Sequence, residues 1–252
     1  MPRTQRTGQI GRRLDLPPPY RLVVLREVGD SFGHASAHAA ELGEGTLIFV
    51  GRFDVAEFAV VLEPEEPLAE ARCVFYAGMV ALGDALAACA PPEKSIAIEW
   101  PDAIRVDGSL VGGGRLLRAD GADDGAVRDW LVFGATIRTD WPRSDDSGRH
   151  PTPTALTEGG FRDAGAECIA ERLARHLMAK TDLWQEAGFA PIAKQYLSRL
   201  RSERGVCHEI GDNGDLRLRT PGKPVESRAL IAALRRPSWL EPASGRLSPA
   251  AA

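Results

Sequence analysis

Hydrophobic and polar positions follow two different periods along the chain, and each change of period marks an element. Runs of branched apolar residues bounded by turn formers predict strands near the start of the chain, at 20–28, 46–54 and 57–64. The last two are separated by so few residues that they predict a hairpin. Apolar residues at helical spacing then predict a helix over 67–90, which Pro91 ends.

Capping residues and amphipathic spacing predict three further helices. Asp30 and Ser31 are suited to cap an Ala-rich helix that Gly43 ends. Residues 167–188 place apolar side chains on one face and Arg and Glu on the other, which predicts a long amphipathic helix. Residues 189–200 predict another helix, with a proline tolerated in its first turn.

The middle of the chain carries a second group of strands around a run of three glycines. The predicted strands are SIAIEW (95–100), AIRV (103–106), SLVGGGRLL (109–117) and DWLVFGATIRT (129–139). Asp107 and Gly108 supply the positive φ angles of a tight turn between the second and the third. A polar, proline-rich loop follows at 141–154, and loops of that length are typically functional or mobile.

The pattern changes after Gly205, where a short strand, an Asn-Gly turn and a second strand predict a small β unit, followed by a helix over 226–237. Hairpins mixed with packed helices favour an α+β fold, with a mixed, largely antiparallel sheet flanked by helices, over a doubly wound parallel sheet. We predict four regions: a mobile N-terminal arm (1–19), the main domain (20–204), a small C-terminal β/helix domain (205–240) and a mobile tail (241–252).

Composition excludes several classes of protein. The 252 residues are 44% hydrophobic and 26% charged, with a net charge of −4, which is typical of a globular protein and disfavours nucleic-acid binding. No segment is long and apolar enough to predict a membrane span. The basic N-terminus lacks the apolar core of a secretory signal, with an amphipathic targeting peptide as the alternative. We therefore expect a cytoplasmic protein.

Metal binding is not predicted. The four cysteines include no Cys-x-x-Cys pair and fit no zinc template, so we expect them to be reduced and mostly buried. His34 and His38 lie four residues apart, which suits two metal ligands on one helix face. Because the sequence places no third ligand, a solvated helix face is the favoured interpretation.

Three adjacent glycines, Gly112, Gly113 and Gly114, need an explanation within a strand, because glycine weakens a strand unless something approaches its backbone closely. Either a ligand lies against them or the strand bulges, and we favour the ligand. Trp100 either stacks on that ligand or belongs to the core. Asp102 either binds a ribose hydroxyl or a metal, or forms an ordinary turn.

Four stretches, in order along the chain, resemble the biotin–protein ligase and lipoate–protein ligase family. IEWPDAIRVDGSLVGGGRL (98–116) resembles the family's Lys/Arg-Trp-Pro-Asn-Asp strand, hairpin and Lys-(Leu/Val)-(Ala/Gly)-Gly-Ile-Leu strand. The other three are VGDSFGHA (28–35), WLVFGATIRT (130–139) and LARHLMAKTDLWQEAGFAPIAKQYLSRL (173–200). The resemblance covers roughly residues 20–220 and implies a biotinyl/lipoyl-ligase-like fold, related to class II synthetases, with a C-terminal β unit.

The resemblance also implies an activity. Members of the family use ATP with Mg to activate biotin, lipoate or a similar small carboxylic acid as an acyl-adenylate, which a lysine of a carrier domain then attacks. A lysine of the glycine strand supplies positive charge, and an Arg-rich loop folds over the adenylate. By resemblance, the ligand-binding residues here are Trp100, Pro101, Asp102, Gly112, Gly113, Gly114 and Arg52.

The sequence departs from the family at the residues that carry this chemistry. Leu110 stands at the position of the catalytic lysine, and Asp102 and Ala103 replace the Asn-Asp pair. Only residues 51–57 are available where the family has its Arg-rich loop, which is too short to wrap an adenylate. Arg138 takes the position of a family Asn close to metal and phosphate.

Arg138 is the predicted substitute for the missing charge, because a guanidinium can hold a carboxylate or phosphate through two hydrogen bonds. Arg115 is less suited, since strict alternation along a strand turns it away from the side of Leu110 unless a bulge among the glycines reverses the order.

Three hypotheses follow. The chain is an acid-activating ligase or acyltransferase that uses Arg138, with help from Arg105 or Arg52. Alternatively, it is an inactive ligase-fold module that binds a small acid or a carrier domain. In the third hypothesis it is a purely structural subunit. ATP and Mg are expected cofactors only under the first.

Overall fold

The computed structural model describes residues 14–118, 130–140, 155–161, 164–201, 204–241 and 247. Within them, seven strands form one sheet in the order β1-β2-β3-β7-β6-β5-β4. The strands are β1 (Arg21–Leu25), β2 (Thr46–Val50), β3 (Val55–Leu62), β4 (Ile96–Glu99), β5 (Ala103–Val106), β6 (Ser109–Arg118) and β7 (Leu131–Arg138). β1 pairs in parallel with β2, and the other neighbouring pairs are antiparallel. The predicted α+β fold with a mixed, largely antiparallel sheet is confirmed.

Among the described residues, five helices accompany this sheet: α1 (Ser31–Leu42), α2 (Leu68–Ala71), α3 (Val74–Ala87), α4 (Ala166–Ala187) and α5 (Ala190–Arg199). Asp30 caps α1 by accepting a hydrogen bond from the backbone N–H of Gly33 (2.9 Å). The single helix predicted over 67–90 is wrong, because the chain breaks it at Arg72 and Cys73. There the Arg72 guanidinium and the Cys73 thiol donate to backbone carbonyls of Asn213 and Asp212, which ties the break to the C-terminal unit.

The two faces of the sheet are covered differently. Helices α3, α4 and α5 close one face, here called the three-helix face, over a continuous apolar core. Fully buried side chains of that core include Phe58, Phe133, Phe75, Met79 and Leu173. The other face, here called the α1 face, is covered by α1 over β2, β3 and β7. Its remaining part, over β5 and β6, is where the site described below lies.

The C-terminal unit is a three-stranded antiparallel sheet of β8 (Cys207–Ile210), β9 (Leu216–Arg219) and β10 (Glu226–Arg228), followed by α6 (Leu230–Leu234). The predicted C-terminal β unit is confirmed, but the helix predicted over 226–237 is too long. Residues 226–228 form a strand instead, because they pair with the edge of β9 that β8 leaves unpaired. The helix then begins at Leu230, whose backbone N–H donates to the Asp215 side chain (3.1 Å).

The chain joins the main core before residue 20. Leu14 is only 6% exposed and packs into the core of the three-helix face. Asp15 holds the segment to α4, because its carboxylate accepts a hydrogen bond from Arg175 (2.5 Å). The predicted arm otherwise falls on residues 1–13, and the predicted tail largely on 242–246 and 248–252, all outside the described residues. The loop predicted at 141–154 also lies outside them, so the four region boundaries stay predictions.

Candidate ligand site

Strand β6 bulges just before its glycines. Arg105 of β5 pairs with Leu110, and Ile104 pairs with Gly112, so Val111 lies between two ladder pairs as an extra residue. One inserted residue reverses the alternation of side chains beyond it. The bulge therefore decides which residues of β6 share a face with Leu110.

The contacts of β6 show the result of this reversal. Leu110 and Gly113 both lie on the side of Trp239, from the chain's C-terminal segment (237–240). Arg115 is on the same face, because its guanidinium carbon lies 4.0 Å from the centre of the Phe32 ring of α1. The prediction from strict alternation, that Arg115 faces away from Leu110, is therefore wrong. The bulge that the sequence left open as an alternative is the physical reason.

The indole of Trp239 fills the space over Gly113. A Cβ at Gly113 would lie 2.3 Å from Trp239 Nε1 and 2.1 Å from the carbonyl oxygen of Asp102. Trp239 is fully buried, and its indole N–H donates to the carbonyl of Gly114 (3.3 Å). The backbone here is thus approached closely, but by a side chain of the same chain. Binding of a ligand against these glycines stays a prediction.

The two flanking glycines are approached by other groups. A Cβ at Gly114 would lie 2.5 Å from Met79 Sδ and 3.4 Å from the Phe75 ring, both on the three-helix face. Gly112 has φ of +150°, and a Cβ there would lie 2.0 Å from the carbonyl oxygen of Thr136 in β7. Each of the three glycines therefore lacks room for a side chain because of a different close neighbour.

The C-terminal segment is fastened to Asp102. Both the backbone N–H (3.3 Å) and the hydroxyl (2.8 Å) of Ser238 donate to its carboxylate. Asp102 is fully buried, and this burial raises its pKa to about 6, although the hydrogen bonds from Ser238 act in the opposite direction. Asp102, predicted to contact a ligand, is engaged by the chain itself.

Leu110, predicted to stand at the family's lysine position, is a core residue. It is 7% exposed and forms an apolar cluster with Ala103 and Trp239. Arg105, directly opposite in β5, is ion-paired with Glu99 and donates to the carbonyl of Gly108 (2.9 Å). Neither residue therefore brings a free positive charge to the glycine strand.

Arg115 brings a guanidinium to the part of this face beside Phe32. Burial lowers the pKa of its guanidinium, while the nearby carboxylates of Asp30 and Glu57 raise it. Glu57 also accepts a hydrogen bond from the backbone N–H of Ser31, the first residue of α1 (2.9 Å). Ser31 is 1% exposed, and within the described residues its Oγ is the buried side-chain polar atom that lacks a hydrogen-bond partner.

A cleft of about 350 Å³ opens beside Arg115, within the size range of small-molecule sites. It lies where α1, the end of β6 and α6 meet, with Phe32, Leu117 and Leu234 among its apolar lining residues. Its charged lining residues within the described chain are four arginines: Arg72, Arg115, Arg118 and Arg235. Such a lining favours an anion that has an apolar part.

Arg52 and Arg138 lie toward the other end of the face. β2 and β3 are joined by residues 51–54 alone, and Arg52 makes two hydrogen bonds to Asp54 (3.0 and 2.7 Å). Arg138 pairs with Val55 at the end of β7. It lies two residues beyond Thr136, which pairs with Gly113, so Arg138 and Gly113 share a face about 7 Å apart along the strand.

The Trp-Pro pair points into the protein. The Trp100 indole N–H donates to the hydroxyl of Tyr76 in α3 (3.1 Å), and the Tyr196 hydroxyl of α5 donates to the Pro101 carbonyl (2.8 Å). Both partners belong to the three-helix face. In this structure Trp100 and Pro101 connect the end of β4 to the helices, while their predicted role toward a ligand stays a prediction.

No cluster of three or more His, Cys, Asp and Glu side chains is arranged to hold a metal ion within the described residues. His34 and His38 stack on each other with ring centroids 4.5 Å apart, and His38 Nδ1 is 3.0 Å from the carbonyl of His34. In the same part of the chain, no helix has the length and apolar character needed to cross a membrane.

Sequence reasoning missed the groups that complete this face: Ser31, Glu57, Ser238 and Trp239. Ser31 was interpreted as part of a helix cap, and Glu57 as a strand residue. The available signal for Trp239 was a single large aromatic after a polar, proline-containing segment, because burying a Trp removes a large apolar area from water. Nothing in the sequence indicated which strand it would cover.

Comparisons with known proteins agree with this architecture. The model of the biotin/lipoate A/B protein ligase family matches residues 16–198. A biotin protein ligase-like protein of unknown function from Silicibacter sp. TM1040 is 26% identical, with a TM-score of 0.74 over 88% of this chain and 99% of the other.

Two biotin protein ligase structures from Aquifex aeolicus share the fold. The apo form is 15% identical, with a TM-score of 0.64 over 84% of this chain and 96% of the other. The form in complex with biotin and ATP is 15% identical, with a TM-score of 0.61 over 82% and 94%. The comparison with curated proteins found no match. Because the family model covers well over half of its length, the chain belongs to the biotin/lipoate A/B protein ligase family.

Proposed function

We propose that this chain is a ligase-fold binding protein that holds a small carboxylic acid beside Arg115 and does not activate it as an adenylate by the family's route. The observation that carries the proposal is the position of the positive charge on β6, which lies at Arg115 and not at residue 110. Leu110, at the lysine position, is buried under Trp239, while Arg115 brings a guanidinium to the same face five residues later.

The argument against adenylation is electrostatic. Joining a carboxylate to the α-phosphate of ATP brings two anions together, which requires fixed positive charge and backbone donors in a site closed to water. Leu110 cannot supply charge, and Arg52 is already paired with Asp54. The four-residue connection between β2 and β3 is too short to cover a nucleotide. The described residues of this face therefore do not fit ATP and Mg in the manner of the family.

The argument for acid binding is the donor set beside the cleft. The Arg115 guanidinium lies over the Phe32 ring and lines the cleft together with three other arginines, Arg72, Arg118 and Arg235. Guanidinium groups favour carboxylates, which they can hold through two hydrogen bonds. The carboxylates of Asp30 and Glu57 already interact with the Arg115 guanidinium and partly offset its positive charge. We therefore expect weak binding of the acid, in the micromolar to millimolar range.

Titration calorimetry of the full chain with biotin, lipoate and octanoate tests this proposal. We expect heat of binding with at least one acid, and about a 10-fold or greater loss of affinity in Arg115→Gln, because a charge-assisted hydrogen bond is removed. Arg217→Gln, on the C-terminal sheet, is the matched control and should bind like the parent. Absence of binding by all three acids, or full affinity in Arg115→Gln, would contradict the proposal.

The second candidate function is the activating ligase, and the position of Arg138 on the face of Gly113 favours it. In that case the chain releases pyrophosphate from ATP with Mg in the presence of an acid, and Arg138→Ala abolishes the release. Leu110→Lys tests the same function more directly, because it restores a positive charge at the family's lysine position and should increase pyrophosphate release. If the parent protein already forms an acyl-adenylate, the binding-only function is wrong. A biotinyl or lipoyl carrier domain, added in the same assays, tests the remaining alternative partner.

A further inference from the structure

Two of the four free cysteines lie in contact, away from the ligand site. The sulfurs of Cys89 and Cys168 are 3.7 Å apart, although 79 positions separate the residues in the sequence. Cys89 follows the end of α3, and Cys168 lies in the first turn of α4. Both are partly exposed. By contrast, Cys73 is buried and its thiol donates a hydrogen bond to a backbone carbonyl, while Cys207 is exposed on β8.

The surroundings of the two thiols differ in a way that suits stepwise chemistry. Arg172, one turn further along α4, donates a hydrogen bond to Cys168 Sγ (3.4 Å), and this contact raises the pKa of the guanidinium. The first turn of a helix adds positive potential at the same sulfur. Burial, with a further contribution from Cys168, raises the pKa of the Cys89 thiol to about 12. Cys168 is therefore placed as the attacking sulfur and Cys89 as the one that follows.

We propose that Cys89 and Cys168 form a reversible intramolecular disulfide, with a low-molecular-weight disulfide as the oxidant. The Cys168 thiolate attacks one sulfur of the oxidant, the oxidant's S–S bond breaks, and one small thiolate leaves. The Cys89 sulfur, losing its proton to solvent, then attacks Cys168 Sγ and displaces the second small thiolate. Two electrons pass from the cysteine pair to the oxidant, which ends as two thiols.

The consequence lies in the three-helix face. The bond would tie the end of α3 to the start of α4, two helices that pack directly against each other. Closing the bond requires the sulfurs to approach from 3.7 Å to about 2.05 Å. A cross-link over so long a stretch of sequence restricts the unfolded chain, so we expect the oxidised protein to melt roughly 5–10 °C higher.

Incubation of the folded full chain with oxidised glutathione, followed by alkylation and peptide mapping, tests the proposal. We expect a Cys89–Cys168 cross-link with a mass loss of about 2 Da, reversed by a dithiol reductant together with the rise in melting temperature. Cys89→Ser should stop at a glutathione adduct on Cys168. Cys207→Ser, the matched control, should cross-link like the parent.

Three outcomes would overturn the proposal. The first is complete alkylation of Cys89 and Cys168 while Cys207 takes up glutathione. The second is a thermal shift on oxidation of Cys168→Ser equal to that of the parent. The third is a cross-link that forms only after the chain is unfolded in denaturant. None of these outcomes depends on acid binding, so the test is independent of the proposed function.

Discussion

Gly113 and Gly114 are neighbours on one strand, yet they face two different environments. Gly114 packs against Met79 and Phe75, in a core formed by three helices. Gly113 packs against Trp239, a single side chain brought in by the C-terminal segment. The same residue type, needed twice for close packing, thus serves a structural core on one face and the border of a candidate site on the other.

The difference lies in what covers each face. The three-helix face is closed by long elements that bury a continuous apolar core, with Phe58, Phe75 and Phe133 fully buried. The α1 face holds the charged groups, with Arg115 over Phe32 and Glu57 at Ser31, and its cover beyond α1 is a short segment fastened through Asp102. We infer that stability resides mainly in the first face and ligand chemistry in the second. Four predictions test that division, beginning with the largest expected effect.

Phe133→Ala should be the most destabilising change, because Phe133 is fully buried between Phe75, at a centroid distance of 6.2 Å, and Gly78. Removing a buried phenyl ring from a tightly packed core costs about 3–5 kcal/mol of unfolding free energy. Urea unfolding measures the loss, and acid affinity should be unchanged in the folded variant. A loss below about 1 kcal/mol would mean that this face is not the stabilising one.

Asp102→Asn should change the pH dependence of stability. The buried Asp102 carboxyl has its pKa raised to about 6 from an ordinary 3.8, so its neutral form is favoured in the folded state. Its contribution is fully present below pH 4 and is lost as pH rises through 6. Between pH 4 and pH 8 the Asn variant should therefore gain up to about 3 kcal/mol relative to the parent.

Unfolding by urea at the two pH values measures this difference. Asp107→Asn is the matched control, because the exposed Asp107 has its pKa lowered by Lys94 and should show no such gain. Equal pH profiles for the parent and Asp102→Asn would show that Asp102 is not held in a buried, desolvated position.

Trp239→Ala should cost less than the loss of Phe133, about 2–3 kcal/mol, because a terminal segment can detach locally and so limit the penalty. Detachment should also raise proteolytic cleavage after residue 235 and, if Trp239 competes with a ligand over Gly113, tighten acid binding. Trp184→Ala, on the opposite side of the sheet, should leave cleavage and binding unaltered. Unchanged proteolysis in Trp239→Ala would contradict the anchoring role.

The two glycines themselves give the smallest effects and the most direct comparison. Alanine at either position overpacks the structure, which typically costs about 1–3 kcal/mol. Gly113→Ala should fall at the upper end, because its Cβ meets the carbonyl oxygen of Asp102 at 2.1 Å. Gly114→Ala should be milder, since it meets the movable sulfur of Met79. Only Gly113→Ala should release the C-terminal segment in proteolysis, and equal release by both would contradict the two-face picture.

The elements were predictable where local physics decides them. The cap at Asp30, the Asp107 and Gly108 turn and the amphipathic spacing of α4 act over a few residues, so the sequence indicates them directly. The break at Arg72 and the start of α6 were not predictable, because both depend on bonds to the distant turn around Asn213 and Asp215. The site was predictable only in part for the same reason.

The sequence by itself determined the family, the strand with three glycines, the absence of a lysine at position 110 and the short connection over residues 51–54, since each is a matter of residue identity and spacing. The tertiary structure alone decided that Arg115 joins the face of Leu110, because a one-residue bulge reverses alternation without a local signature. It also decided that Trp239 covers Gly113, because that contact joins residues 126 positions apart, whose meeting follows from packing of the whole chain.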